Sequence, residues 1–412
     1  MREILLCTLG TRGDFQPFLA IGALLQSSGH EVTLLSNSNW RAEARSAGLR
    51  FVAIAEEDEP QNGRDDHAFF LSNTLPSFTH SRLYVETRLR QGRRPALVYR
   101  SNMLGMQCAA EKYGLTNAKV VLQPSAIRSY QSPPWPLSKL TSGAFGWVGR
   151  NIVVPTVYTL GDLASPYRSH TNRFRKHSGV GNSSIFRRSS TPEQMTLVLA
   201  PSWFAIPQQD WPANHYLTGF PTPKPREVDR EVLDFIASHG PPLVFTPGTG
   251  VANSKSFFDR AAQTVVASGM PAIFLGKDAP PPPSVNGQII SRGYLDLGGL
   301  LPKAAALFHH GGIGSTAEAI RAGIPQIVIP GRFDQPDNAM RVARLGLGAA
   351  IFSDKVSGVE WANLLLKVFR NDHVATQLAT AKHLLLGEDG IGNACTLIEK
   401  LISYPLGDAV AA

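Results

Sequence analysis

The 412-residue sequence predicts an α/β protein built from two doubly wound, parallel-sheet domains. Three observations carry that expectation. The N-terminal third alternates strand and helix patterns in the order βαβαβ. The same alternation restarts after a proline-rich connection near the middle. In each half an apolar run ends in a glycine-rich turn that opens a helix, as "ILLCTLGTRGD" and "LFHHGGIGST" both do.

Taken in order, "EILLCTL" reads as a fully buried strand. "PFLAIGALLQSSGH" follows as an amphipathic helix, with Pro17 near its first turn and Gly29 near its end. "EVTLLSN" is the next strand, "WRAEARSAG" a helix and "LRFVAIA" a third strand. From Glu56 to about Arg100 the pattern loosens into a turn-rich acidic stretch and then six arginines between Arg82 and Arg100. "KVVLQPSA" restores a buried strand, and "YQSPPWPLSKLTSGAFGW" reads as an aromatic loop before a further helix. Between Arg168 and Arg188 six Lys or Arg occur with no acid, which suits a solvated helix face or attraction to an anionic head group.

The second half repeats the grammar. "REVLDFIASHG" is a helix, "PLVFTPGTG" a strand and turn, and "KSFFDRAAQTVVASG" a helix. "PAIFLG" and "GQIISRGY" are strands, "LGGLLPKA" a helix and "AALFHHGG" a strand. "STAEAIRAG", "IPQIVIP" and "QPDNAMRVARLG" give helix, strand and helix, and further helices close the chain. The domains are placed at 1–220 and 229–390, joined by a linker at 221–228. A C-terminal helix at 391–412 is free to pack back on the first domain. Two such Rossmann-like domains are expected to face a central cleft at the carboxyl ends of their sheets.

The net charge of +8 favours anionic ligands or membrane surfaces, but no basic–aromatic module points to nucleic acid. The three cysteines, Cys7, Cys108 and Cys395, are far apart and lack metal-type spacing, which suits reduced thiols in a cytoplasmic protein. No signal peptide or membrane-length apolar run is evident, although peripheral contact with a membrane is compatible with the charge.

The chemistry concentrates in "LFHHGGIGSTAEAI". An apolar strand ends at Phe308; His309 and His310 follow, then Gly311, Gly312 and Gly314, and Ser315 and Thr316 open a helix. Glycines let backbone N–H groups approach a ligand, and the helix start adds unpaired donors and a positive dipole end. This is a cradle for a diphosphate, and it is not a P-loop, since the Gly-Lys-Ser/Thr ending is missing. Adjacent histidines with no third ligand make a poor metal site, so no metal is expected. "TPGTG" offers Thr249 as a second phosphate donor, or is simply a loop. Asp334 and Gln335 suit paired sugar hydroxyls, and Asp334 can equally cap a helix. Asp14, after the first strand, is either a helix cap or a base in a cleft.

"FHHGGIGSTAEAIRAGIPQIVIPGRFDQPDNA" resembles the donor-binding signature of the GT-B, family 1 glycosyltransferases, and "GTRGDFQP" resembles the first loop of their antibiotic- and sterol-modifying branch. "APSWFAIPQQDWP", "TGFP", "LVFT" and "LLPKAAALFHHGGIG" look most like bacterial rhamnosyltransferases of rhamnolipid synthesis. The resemblance implies inverting, metal-independent transfer from a dTDP- or UDP-sugar to a hydroxyl of a hydrophobic acceptor, with no cofactor. It places the phosphate-contacting histidine on His310, helix-start donors on Ser315 and Thr316, the sugar pair on Asp334 and Gln335, and a hydroxyl donor on Thr249. Asp14 stands where many members carry a histidine base. "VYRSNMLG" lacks the backing aspartate, so Asp14 itself must be the base. Leu297 replaces the glutamine usual near the nucleobase, which leaves uracil and thymine undistinguished.

The acceptor site is expected in the first domain, at Gly13, Phe15, Phe78 and Trp135, in regions that Phe69, Phe70, Leu71, Phe145 and Trp147 also make apolar. Rival readings are a nucleotide-sugar epimerase of the same architecture and a silent nucleotide-sugar-binding partner protein. Turnover without an acceptor would mark the first, and binding without turnover the second.

Overall fold

The computed structural model describes residues 1–56, 70–141, 143, 146–181, 194–248, 254–277, 279–280 and 287–403. The chain divides into two compact units, one running to Pro221 and completed by the segment from Gly390, the other spanning Thr222–Asp389.

The first unit carries a seven-stranded sheet in the order β3-β2-β1-β4-β5-β6-β7. Its strands are β1 (Glu3–Cys7), β2 (Glu31–Asn37), β3 (Arg50–Ala55), β4 (Ala96–Arg100), β5 (Asn117–Val121), β6 (Met195–Val198) and β7 (His215–Leu217). Every pairing is parallel. A parallel sheet needs both faces covered, and β1 is buried along its whole length for that reason. Ile4 and Leu6 join one core with Phe18, Ile21 and Leu25, while Leu5 and Cys7 join another with Leu97, Tyr99 and Met106. The helices supplying these faces are α1 (Arg12–Ser27), α2 (Arg41–Ser46), α3 (Leu75–Arg90), α4 (Leu104–Tyr113), α5 (Val154–Ala164) and α6 (Arg168–His177). Two expectations change here. The stretch read as irregular contains the whole of α3 and the central strand β4. Its arginines form ion pairs: Arg88 with Glu3 at 2.6 Å and Arg93 with Glu31 at 3.5 Å. Helix α1 begins at Arg12, so Pro17 lies in its second turn.

The second unit carries a six-stranded, all-parallel sheet in the order β10-β9-β8-β11-β12-β13. Its strands are β8 (Leu243–Thr246), β9 (Ala272–Leu275), β10 (Ile289–Arg292), β11 (Ala306–His309), β12 (Gln326–Val328) and β13 (Gly348–Ala350). Helices α7 (Arg230–His239), α8 (Lys255–Ser268), α9 (Leu297–Leu300), α10 (Ile313–Ala322), α11 (Gln335–Arg344), α12 (Gly358–Phe369) and α13 (Asp372–Leu386) surround it. The last helix, α14 (Gly390–Ser403), returns to the first unit. Its Ala394, Ile398 and Ile402 join the core that holds Ile21, and the Cys395 thiol donates to the Ile21 carbonyl at 3.6 Å. Cys7, Cys108 and Cys395 are all buried free thiols, and burial pushes the Cys108 thiol up to about 11.

Candidate active site

In both sheets the order of strand addition reverses near the centre. In the first unit the reversal falls between β1 and β4, in the second between β8 and β11. Loops leaving neighbouring strands diverge at such a switch point, which opens a crevice at the carboxyl ends of the strands. Of the residues singled out in the sequence, Asp14 follows β1 in the first unit and the stretch from His310 to Thr316 follows β11 in the second.

In the second unit, His309 closes β11 and is wholly buried. The Gly311 N–H donates to its Nδ1 at 3.2 Å, and its Nε2 faces the Gln326 amide oxygen at 2.9 Å. Those partners assign the proton to Nε2 and leave no ring nitrogen for a ligand. Burial, with His310 adding to it, pulls its pKa down to about 3. His309, predicted as a donor-site residue, is thus a strut that ties β11 to β12.

His310 points instead at the loop after β8. A Cβ placed on Gly248 would lie 2.5 Å from its Cε1, and one placed on Gly312 would lie 2.6 Å from its Nε2. The imidazole therefore sits in a slot whose two walls must both be glycine. Burial lowers its pKa to about 4, with the Thr246 backbone opposing in part, so the ring is neutral at pH 7. A neutral imidazole still carries one N–H.

Helix α10 starts just beyond, with Gly312 as its N-cap. The N–H groups of its first turn have no intrahelical partners and face outward with the positive end of the dipole. Gly314 is exposed and Ser315 half-buried at this opening. Thr316 is fully buried, and its hydroxyl donates to the Gly312 carbonyl at 3.1 Å. Thr316 thus braces the turn, and its hydroxyl proton is committed. Thr249 lies outside the described residues. Leu297, in the place of the usual glutamine, packs half-buried against the core of the unit.

Asp334 is the N-cap of α11 and Gln335 its first residue. The Gln335 side-chain oxygen accepts from the Gly331 and Arg332 N–H groups at 2.8 and 3.1 Å. This closes a tight turn in which Phe333 takes φ 59° with 77% of its surface exposed. Asn338, one turn into α11 and fully buried, was not anticipated. Its amide donates to the Gly311 carbonyl at 2.9 Å and to Asp334 Oδ2 at 2.8 Å. One side chain so fixes the phosphate-type turn and the sugar-type carboxylate together. An asparagine four residues after the carboxylate is the sequence signal that could have found it.

In the first unit, Asp14 occupies the third position of α1. Its Oδ2 accepts from the Thr11 backbone N–H at 3.0 Å and the Thr11 hydroxyl at 3.3 Å, which is a capping arrangement. Its Oδ1 pairs with Arg100 at 2.8 Å. Arg100 ends β4, beside β1, and also donates to the Leu9 carbonyl at 2.6 Å. The segment that lacks a backing aspartate thus supplies an arginine. A charged residue closing the "ALVYR" strand was the available signal. The approach of Asp14 depends on Gly10, whose φ is +127° and whose added Cβ would fall 2.2 Å from Oδ2. The Gly10 N–H reaches Asn37 at 3.1 Å, and Trp40 Nε1 donates to the Gly10 carbonyl at 3.2 Å. Oδ2 thus takes two donors, while Oδ1, paired only with Arg100, retains a second lone pair for an incoming hydroxyl.

Two acceptor-site expectations are corrected. Phe15 is fully buried and stacks on Trp40 at 4.9 Å, and Phe78 is 2% exposed in the core beneath α3. Neither offers surface to a ligand, because the apolar spacing that made these segments look pocket-like is the spacing of their core faces. Gly13 is exposed next to Asp14, and Trp135 is half-buried beneath the Lys139 ammonium at 5.6 Å. Phe69 and Phe145 lie outside the described residues. Among the described residues no three His, Cys, Asp or Glu side chains converge as a metal site.

Residues 4–88 match the glycosyltransferase family 28 N-terminal domain, and residues 264–384 match the erythromycin biosynthesis protein CIII-like C-terminal domain. The chain is 28% identical to the O-mycaminosyltylonolide 6-deoxyallosyltransferase of Streptomyces fradiae, over 97% of both chains. Among solved structures it is similar to the glycosyltransferase of kitacinnamycin, with TM-score 0.76 and 19% identity over 97% of this chain and 99% of that one. It is also similar to a spinosyn rhamnosyltransferase solved with thymidine diphosphate and with spinosyn aglycone, with TM-scores of 0.64 and 0.65, 19% identity, and coverage of 98% of this chain and 100% of that one. These structures share its fold.

Proposed function

Because the chain belongs to the GT-B, family 1 glycosyltransferases, we propose that it transfers a sugar from a dTDP- or UDP-sugar to a hydroxyl of a hydrophobic natural-product acceptor, with inversion and without a metal. The observation that carries this reading is the His310 imidazole, slotted between Gly248 and Gly312 beside the N-terminus of α10.

That turn holds the diphosphate. The neutral imidazole and the first-turn N–H groups, with Ser315, donate to its oxygens, and they do so more strongly as the leaving group gains charge. Asp334 and Gln335 hold sugar hydroxyls, with Asn338 fixing the carboxylate. Asp14 accepts the acceptor's proton as the new bond forms. Because an alcohol is a far weaker acid than a carboxylic acid, that proton moves late, and such general-base help is worth about 10²–10⁴ in rate. Arg100 and Thr11 keep the Asp14 carboxylate aimed. The related deoxyallosyltransferase and the thymidine diphosphate and aglycone complexes support a dTDP-sugar and a macrolide-like acceptor.

The test is nucleotide binding followed by product analysis. TDP or UDP should raise the melting temperature of the wild type. It should leave Gly248→Val unmoved, because the added side chain expels the imidazole. Mass spectrometry of aglycone panels incubated with dTDP- and UDP-sugars should then give a glycoside. Protection by neither nucleotide, or consumption of the nucleotide sugar without an acceptor, would overturn the proposal.

A further inference from the structure

The outward surface of the helical stretch 146–164 bears the wrong residues for water. This stretch comprises Gly146–Val148, a wider turn at Gly149–Val153, and α5. Its inward stripe recurs about every four residues and is largely polar. Arg150 donates to the Thr141 carbonyl at 2.8 Å, Tyr158 reaches the Ser129 carbonyl at 3.4 Å, and Asp162 forms a two-pronged bond with Arg128 at 2.9 Å. The outward side carries Trp147 (64% exposed), Ile152 (53%), Val157 (40%), Leu160 (59%) and Leu163 (55%). A helix facing solvent normally has the opposite arrangement.

The polar side chains on that outward side do not ask for water. Asn151 donates to the Trp147 carbonyl at 2.8 Å, Thr156 to Ile152 at 2.7 Å and Thr159 to Pro155 at 2.8 Å. Both threonine hydroxyl protons, and one of the two Asn151 amide protons, are satisfied one turn back on their own helix. The face can therefore leave water at little polar cost, with the second Asn151 N–H left to donate to a lipid phosphate or carbonyl oxygen at the interface. Helix α6 follows after a short connection, and its Arg168, Arg173 and Lys176 are exposed. Among the described residues, these three cations form no ion pair. An apolar face with a tryptophan, self-satisfied hydroxyls and adjoining free cations matches the interface of an anionic bilayer.

We propose that the chain docks on anionic lipid bilayers through the outward face of residues 146–164, with Arg168, Arg173 and Lys176 of α6 reading the phosphate charge. The docking is peripheral, since among the described residues no helix is long and apolar enough to cross a membrane. A neutral hydrophobic acceptor would use the apolar face and gain nothing from the cations. A hydrophobic protein partner would equally fill the face, so the probe is a protein-free vesicle.

The full chain should float with vesicles of three parts phosphatidylcholine to one part phosphatidylglycerol and remain behind with pure phosphatidylcholine. Rising salt should weaken the association. Arg173→Gln with Lys176→Gln should weaken it roughly 30-fold, at about a fivefold loss per cation. Leu160→Asn with Leu163→Asn should remove it while leaving the TDP- or UDP-induced thermal shift intact, which shows that the variant is folded. The inference is overturned if the wild type ignores anionic vesicles, or if the Leu160/Leu163 variant still floats with them.

Discussion

The two switch points solve the same geometric problem with opposite electrostatics. In the first unit, the crevice between β1 and β4 is organised by a charge pair, with Asp14 and Arg100 both partly open to water. In the second, the crevice between β8 and β11 is organised by two buried, neutral imidazoles and an uncharged helix terminus. A base must keep its charge until the proton arrives, and partial solvation with one cationic partner supports that. A site for departing negative charge works best with fixed dipoles in a dry setting, where they need no reorganisation. Apart from β7, the two sheets share one strand order, so the electrostatic difference lies in the residues after the strands.

The largest expected effect breaks the first half of that comparison. Asp14→Asn should lower transfer by about 10²–10⁴-fold. The amide oxygen can still accept from Thr11, so the fold should hold and nucleotide protection in a thermal-shift assay should be unchanged. His310→Ala should by contrast weaken nucleotide protection as well as turnover. If Asp14→Asn turned over normally, the base would have to lie elsewhere and the Asp14–Arg100 pair would be purely a helix-capping device.

Acid should break the second half. His309 and His310 have folded pKa values near 3 and 4 against about 6.5 when unfolded. Because both are depressed, their stabilising contribution is fully present above pH 6.5 and fades as pH falls towards 4, when the unfolded chain takes up the protons first. The loss should be on the order of 2 kcal/mol for each ring by pH 5. Urea unfolding at pH 7 and pH 5 reads it, and His310→Gln should remove about half of the difference.

The architecture was legible because it repeats: short apolar runs, alternating with amphipathic helical stretches, translate directly into buried parallel strands. The α3–β4 segment was obscured because its helix holds its place through arginine–carboxylate pairs such as Arg88–Glu3, which join residues far apart in sequence. For the same reason Arg100 went unrecognised, since its partner Asp14 is 86 positions earlier and only the strand order brings them together. His309 was counted with His310 at the donor site, yet strand alternation sends His309 into the sheet and leaves His310 for the crevice. Phe15 and Phe78 looked like pocket residues because core and pocket draw on the same amino acids.

Gly10→Ala tests how tightly the charged crevice is built. The methyl group would arrive 2.2 Å from Asp14 Oδ2 on a backbone that disfavours any side chain. The carboxylate must move or the turn must open, at a cost of about 1–3 kcal/mol. Differential scanning calorimetry should show the loss, and transfer should fall with it while nucleotide binding in the second unit stays unaltered. Unchanged transfer would mean that the position of Asp14 does not matter to the reaction.

The smallest effect comes from the mirror-image case. The second unit also has a turn with positive φ beside its crevice, but it is occupied by Phe333, not glycine. A non-glycine residue there costs roughly 1–2 kcal/mol. With 77% of its surface exposed, the ring recovers little by burial. Phe333→Gly removes that strain and adds back some unfolded-chain entropy, about 0.4–1 kcal/mol. The variant should therefore match or exceed the wild type in unfolding free energy by up to about 1 kcal/mol, whereas Phe333→Ala, which keeps the strain, should not. If both variants lowered the affinity for a nucleotide sugar but not for the free nucleotide, the exposed ring would be placed against the sugar. A destabilised Phe333→Gly would instead show that the Gln335 clamp on Gly331 and Arg332 holds the turn without strain, and the contrast with Gly10 would disappear.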